Sequence, residues 1–372
     1  MNSSSIKMIA VCFLIITVSC NRRSNNTLGI INFSEPESAD VFYKAADHIN
    51  IIQLDSSVLI GSNPELIIGD TCYYLVDKNT SGKIFRFSQS GRFLNAIGNK
   101  GRGPEEYADI RNVRLYGDTL FIVSLPGITV LEYLSDGTFI SKKQYDINAR
   151  QAVKWRDGYL AYSGYGMTDT GRFILFENNT IKRTFLKSDY NVINFTEETD
   201  VFSIHRDNIY TRESYCDTIY KLYGDSKLEP YLKIDFGKYK IPGDFFGFND
   251  SFKAAEFLLK REFCVIRKYF ESDNISVVEG MINKSPLPLF FYGIKNGSQK
   301  KNKWLWVSLG EINAAPFCNS LSAVKGKKMI FLGNASLRKN LSAMAIEKII
   351  NKDVFNKINE ESNYFIAEII LK

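Results

Sequence analysis

Three groups of side chains in this 372-residue sequence have the types that binding or catalysis needs. The first is the run Ile97-Gly98-Asn99-Lys100-Gly101-Arg102-Gly103-Pro104-Glu105-Glu106-Tyr107. Glycines let a backbone approach an anion closely, so a phosphate cradle is one reading. The run lacks the G-x-x-x-x-G-K-[ST] spacing, and no helix follows it. The stronger reading is structural: the glycines make positive-φ turns, Pro104 stiffens a crossing, and Tyr107 packs between layers. Arg102, Glu106 and Tyr107 are then the ligand-binding candidates of this loop, with Arg102 and Glu106 its exposed polar groups. The second group is Asp77, Asp217 and Asp235, at strand starts or ends. Carboxylates converging on a channel would hold a divalent cation such as Ca²⁺ and activate water. Capping of a local turn is the default for each. The third is Trp304 and Trp306, which alternate with Leu305 and so share one sheet face. They suit a sugar-stacking platform, though packing between layers is the stronger expectation. No G-x-S-x-G, H-E-x-x-H or S-x-D-x-G-x-T-W run occurs. No catalytic residue or cofactor is assigned.

Cys20 carries a different chemistry. Lys7 is the only charge in the first 21 residues, and Met8 to Ser19 is nearly all apolar. Twelve residues make a helix of about 18 Å, too short for a hydrocarbon core of about 30 Å. A charged start, a short apolar run and small residues before a cut are the pattern of an export signal over residues 1–19. Val18-Ser19-Cys20 resembles a bacterial lipobox, with Thr17 where Leu is usual, so Cys20 is expected to be lipidated. Several acyl chains, each contributing about 0.8 kcal/mol per buried methylene, would anchor the protein stably. Cys72, Cys216, Cys264 and Cys318 remain, without the close pairing of a zinc site. Export permits disulfides, yet apolar or aromatic neighbours make four buried free thiols the leading expectation. Only His48 and His205 are available for a histidine-based centre. Net charge is +6, and the densest basic runs, Lys300-Lys301-Asn302-Lys303 and Lys325-Gly326-Lys327-Lys328, sit in turns. That charge is too small and dispersed to imply nucleic acid.

The elements that must position these groups repeat. Ile84 to Phe93 aligns without gaps onto Val130 to Phe139, each reading strand, polar turn with Gly, strand. Upstream of each lies another strand, Tyr73 to Asp77 and Leu120 to Ser124. A four-stranded unit of about 40–50 residues is the signature of a propeller blade. Diverged units follow around Tyr159 to Phe176, Asn208 to Phe236, Ile275 to Leu309, and Met329 to Leu371. Ser251 to Arg261 and Leu341 to Ile358 instead read as helices. The isolated strand Asn50 to Leu54 is expected to join the C-terminal strands and close the ring.

These residues resemble the six-bladed β-propeller lipoproteins of Bacteroides-type bacteria, related in shape to NHL and TolB-like propellers. The resemblance rests on Gly91-Arg92-Phe93 with the Gly98 to Tyr107 run, on Asp217-Thr218-Ile219-Tyr220, and on Ile234-Asp235-Phe236-Gly237-Lys238 with Ile241-Pro242. Asn363-Tyr364 stands where Asn-Pro is typical. The resemblance implies an all-β six-bladed propeller of four-stranded antiparallel blades, with short helical insertions, over residues 48–372. Residues 20–47 are then the lipidated cysteine and a linker. It also implies an outer-membrane anchor, and Arg22-Arg23 after the cysteine favours a periplasm-facing one, with the cell surface as the alternative. The expected function is non-catalytic binding of a glycan, a peptide or a partner envelope protein. The alternative is a metal-assisted hydrolase or lactonase with a central-channel site.

Overall fold

The computed structural model describes residues 28–164, 171–187, 200–224, 227–248, 250–283, 289–297, 304–311, 320–334, 341–359 and 361–372. Its strands form six antiparallel sheets in a ring, a six-bladed β-propeller. Blade 1 contains Glu65–Ile68, Cys72–Asp77, Lys83–Ser88 and Phe93–Ile97, from the axis outward. Blade 2 begins at Asn112–Tyr116, blade 3 at Gln151–Trp155, blade 4 at Phe202–His205, blade 5 at Phe263–Glu271 and blade 6 at Ser320–Lys325. The innermost strands adjoin one another around the axis from blade 4 through blades 5, 6, 1 and 2 to blade 3.

Middle strands are apolar throughout because both their faces are covered. In Cys72–Asp77 every residue is buried. Successive side chains point to opposite faces, so Tyr74 and Val76 pack against blade 2 while Tyr73 and Leu75 pack against blade 6. Each of the six blade junctions has its own buried cluster of this kind. A fully buried aliphatic or Phe side chain contributes about 1.5–3 kcal/mol. Outer strands face water on one side, and Phe139–Tyr145 accordingly carries Ser141, Lys142, Lys143 and Gln144.

The gapless repeat is geometric as well as sequential. A register shift separates the third and fourth strands of every blade. In blades 1 and 2 it falls at Arg86/Phe87 and Glu132/Tyr133, positions equivalent in the alignment. Such bulges increase local twist, which the outer edge of a blade needs. Gly91 and Gly137 both have positive φ, and a Cβ on Gly91 would lie 2.0 Å from the Gln53 carbonyl oxygen.

The ring closes as expected. Ala46–Gln53 pairs antiparallel with Tyr364–Leu371 and is the outermost strand of blade 6. In the described part of the expected linker over 20–47, Gly29–Asn32 runs parallel to Lys227–Asp235 as a fifth strand of blade 4. The strap continues to Glu37, whose amide donates to the Trp306 carbonyl (2.9 Å) and whose carbonyl accepts from Ser308 (2.8 Å) on blade 5. Helix α1 (Ala39–Ala45) then packs on the outer strand of blade 5 before blade 6 begins. The strap therefore covers two exposed edges.

Helix α2 (Ser251–Leu259) forms where its periodicity predicts, capped by the Asp250 carboxylate, which accepts from the Phe252 and Lys253 amides. The helix expected over Leu341 to Ile358 is two short ones, α3 (Ala343–Lys348) and α4 (Lys352–Lys357). The break docks onto blade 6. Ile350 donates to the Ile49 carbonyl, and the Asn351 side chain bonds both the amide and the carbonyl of Ile51. Satisfying that edge outweighs one uninterrupted helix.

Candidate functional site

Antiparallel alternation sets the two ends of the ring apart. Crossings from an outermost strand to the next innermost one share an end with the turns between second and third strands. At this end lies the larger cavity, about 690 Å³. Asn63, before the innermost strand of blade 1, and Asn79, in that blade's second turn, are exposed on its wall. Asp200 enters just before the innermost strand of blade 4, and Arg212 ends that blade's second strand. Side chains from blades 1, 2, 4, 5 and 6 converge here.

Five cations and two carboxylates line this cavity: Lys78, Arg114, Arg212, Arg267 and Lys268, with Glu65 and Asp200. Both carboxylates are engaged. Lys78 bonds Glu65 (2.6 Å) and the Arg111 carbonyl (2.9 Å). Arg114 pairs with Asp200 and donates to the Phe202 carbonyl (2.7 Å), tying blade 2 to blade 4 across the axis. Arg212 is fully buried. Arg267 lies over the Phe290 ring, 4.7 Å from its centroid. Its nearest carboxylate oxygen, on buried Glu279, is 3.8 Å away, while the other Glu279 oxygen accepts from the Leu321 amide. Phe202, Phe270 and Phe290 give the cavity aromatic walls.

A second cavity of about 530 Å³ opens between blades 3, 4 and 5 at the same end. Arg172 pairs there with Glu213, and Lys233 and Lys240 approach Asp217 at 3.8 and 3.9 Å. Cys216 lines this cavity, and burial pushes its thiol up to about 11, so it stays protonated and unreactive near neutrality. Cys72 and Cys264 are buried free thiols, whereas Cys216 is part-exposed. Cys318 lies outside the described residues.

The glycine-rich loop is folded on itself. Asn99–Lys100 and Glu106–Tyr107 form a small parallel sheet. The Glu106 carboxylate accepts from the Gly103 amide (2.7 Å) and fills the space where a Cβ on Gly101 would sit. An anion there would meet a carboxylate. Tyr107 is fully buried between blades 1 and 2, donating to the Gly82 carbonyl (2.8 Å), and a Cβ on positive-φ Gly98 would lie 2.6 Å from its ring. Arg102 is exposed on the loop surface. None of the three lines either cavity.

The aspartates are capping groups. Asp77 accepts from the amides of Gly61 (3.1 Å), Thr80 (3.0 Å) and Ser81 (3.0 Å). Burial alone would raise its pKa, and these bonds with that of the Ser81 side chain hold it below the usual carboxylate range. Asp235 accepts from Gly237, and Asp217 from the Thr218 hydroxyl (2.7 Å). Among the described residues, no three His, Cys, Asp or Glu side chains come together with metal-binding geometry. His48 pairs with Asp47, and His205 with Asp273 (3.0 Å). Trp304 and Trp306 stack, but Trp306 is buried under Phe33 from the strap, with centroids 5.0 Å apart. Packing has taken that surface.

The profile of a protein family described as a domain of unknown function, DUF4934, matches residues 28–368. The chain belongs to the DUF4934 family. The match begins at the strap, so this DUF4934 domain includes the segment that stitches blades 4 and 5. No functionally curated protein matches the chain. A Bacteroides fragilis protein described as exported superimposes with a TM-score of 0.72 at 18% identity, over 92% of this chain and 99% of that one. A DUF4221 member from Bacteroides vulgatus superimposes with a TM-score of 0.52 at 12% identity, over 88% and 97%. Both likenesses are of fold. Among the described residues no helix is long and apolar enough to cross a membrane.

Proposed function

We propose that this DUF4934 protein is an exported, lipid-anchored binding propeller of the cell envelope, which holds a ligand in its axial cavity without transforming it. One observation carries the reading: five blades deliver polar side chains and aromatic walls to one open cavity of about 690 Å³, within the usual range of small-molecule sites. A metal-assisted hydrolase or lactonase is less well supported, because Asp77, Asp217 and Asp235 each serve a local turn or pair.

The strap adds an orientation. Gly29–Asn32 runs parallel to the outermost strand of blade 4, which runs toward the cavity end. The chain therefore enters from the opposite end. Eight residues separate Cys20 from Gly29 and can span about 30 Å at most. A lipid on Cys20 would hold the opposite end near the bilayer and leave the cavity mouth facing away.

The test has two parts. Cys20→Ala should move the protein from the membrane to the soluble fraction, and unchanged retention would refute the anchor. Mature protein incubated with envelope-derived saccharides, peptides and organic acids should broaden the NMR signals of at least one component, recovered chemically intact. Turnover of that component would overturn the non-catalytic reading.

A further inference from the structure

The charged side chains on the wall of the axial cavity are all engaged with the protein, and the polar groups left over are neutral. We propose that the cavity is a receptor for a neutral oligosaccharide, whose hydroxyls meet the amides of Asn63 and Asn79 and the hydroxyls of Ser203 and Ser322, and whose ring faces lie on Phe270 and Phe290. This rests on the reading of the cavity as the ligand site, and goes on to name the ligand's chemistry.

Lys78 is committed to Glu65, Arg114 to Asp200 and Arg267 to Glu279. Arg212 donates to the Glu213 carbonyl (3.5 Å) and Lys268 to the Leu321 carbonyl (3.1 Å). A charged ligand would have to break one of these pairs or leave water without a spare counter-charge, and both are costly. A wholly apolar ligand would strip water from the polar wall and return no hydrogen bond. The neutral groups face neither obstacle. Asn63 and Asn79 are exposed on the wall, Ser203 and Ser322 are part-exposed, and none of the four side chains bonds another described residue. An amide presents donors and an acceptor together, and a serine hydroxyl serves as either. Sugar hydroxyls have the same dual character, so each can exchange its water for a protein partner at little cost. A pyranose ring also has a flat face of C–H groups, which suits an aromatic surface. Phe270 and Phe290, both part-exposed on blade 5, supply it, while the polar groups come from blades 1, 4 and 6. Groups spread over four blades suit more than one sugar ring.

The experiment is calorimetric titration of the full mature protein with maltotriose, xylotriose and chitotriose, and with glucuronate, inorganic phosphate and indole as charged and apolar probes. At least one trisaccharide should bind, and the other three probes should not. Raising salt from about 0.05 M to about 0.5 M should change the trisaccharide affinity less than twofold, because no ligand charge is there to be screened. Asn63 has positive φ, so glycine removes its amide without strain. Asn63→Gly combined with Asn79→Ala should weaken binding about tenfold or more, as loss of two hydrogen bonds implies, with the melting temperature kept as the check on folding. Arg102→Gln on the glycine-rich loop should leave binding unchanged. Binding of none of the trisaccharides, or equal binding by wild type and the double variant, overturns the proposal. Binding of glucuronate, phosphate or indole instead, abolished by filling the cavity with Ser322→Trp, overturns the sugar chemistry while the cavity remains a binding site. Binding of no probe at all counts against the cavity reading as well.

Discussion

Replacing Phe33 by alanine tests whether the strap is a working part of the ring. Phe33 is partly buried, and its ring centroid lies 4.9 Å from Phe291, 5.0 Å from Trp306, 5.5 Å from Phe236 and 6.2 Å from Tyr239. Truncating a fully buried Phe costs about 3–5 kcal/mol. Partial burial reduces this to about 2 kcal/mol, even with the edge-to-face contacts included. The strap is otherwise held by short runs of backbone bonds to blades 4 and 5, by Ile31 packing, and by Glu35, which accepts from the Tyr239 hydroxyl and pairs with Lys238, so the loss should fall on local opening rather than on the whole ring. At about 1.4 kcal/mol per factor of ten, opening becomes about thirtyfold more frequent. A glutamate-specific protease reads this directly, because Glu35 and Glu37 lie on the strap just beyond Phe33. Under native conditions Phe33→Ala should be cut there about thirtyfold faster, and melting should fall by only about 3 °C. Leu28→Ala, before the strap's strand, should change neither. Cleavage within twofold of wild type would refute the strap's dependence on Phe33.

Two further predictions concern the ring itself. Deleting residues 364–372 removes the third strand of blade 6 and the pairing that holds the N-terminal outer strand; cooperative thermal unfolding should be lost, and an unchanged melting temperature would contradict the closure. Asp77→Ala should cost about 2 kcal/mol at pH 7, since three part-buried amides lose a charged acceptor. Because the folded carboxyl is held below its ordinary value of 3.8, its contribution is complete above that value and disappears as pH falls through the lower folded one. Melting curves of wild type and variant should therefore differ fully at pH 7 and converge at the acid end; a constant gap would refute the assignment.

What could be read in the residues depended on how many faces an element buries. Strands such as Cys72–Asp77 and Thr119–Ser124 are covered on both sides, and their continuous apolar runs stand out. The glycine turns recur because Gly91 and Gly137 occupy the same left-handed corner. The innermost strands are harder to see. Glu65–Ile68 and Phe202–His205 are only four residues long, carry one and two polar residues respectively, and are bordered by turns. The cavity is built largely from such strands, so its lining sat where pattern was weakest. A usable signal existed in Arg114, inside Asn112–Tyr116, and in Arg267, inside Phe263–Glu271. An arginine within an otherwise apolar strand seldom goes inward without a partner. The strap was hidden for another reason: Gly-Ile-Ile-Asn is too short to be distinguished from a linker, and its partner strand lies about two hundred residues away.

The same topology explains why the conspicuous glycine loop lines neither cavity. A crossing between blades must turn sharply, pack closely and satisfy its own backbone, and the Gly98 to Tyr107 run spends its glycines, Glu106 and Tyr107 on those tasks. Residues consumed by folding have little left to offer a ligand. The axial strands face the opposite constraint, since their inward side chains meet only the space between blades. Arg114 and Arg267 line that space, the first paired with Asp200 and bonded to the Phe202 carbonyl, the second paired with Glu279. The open space of about 690 Å³ therefore lies at the axis, while this crossing closes on itself.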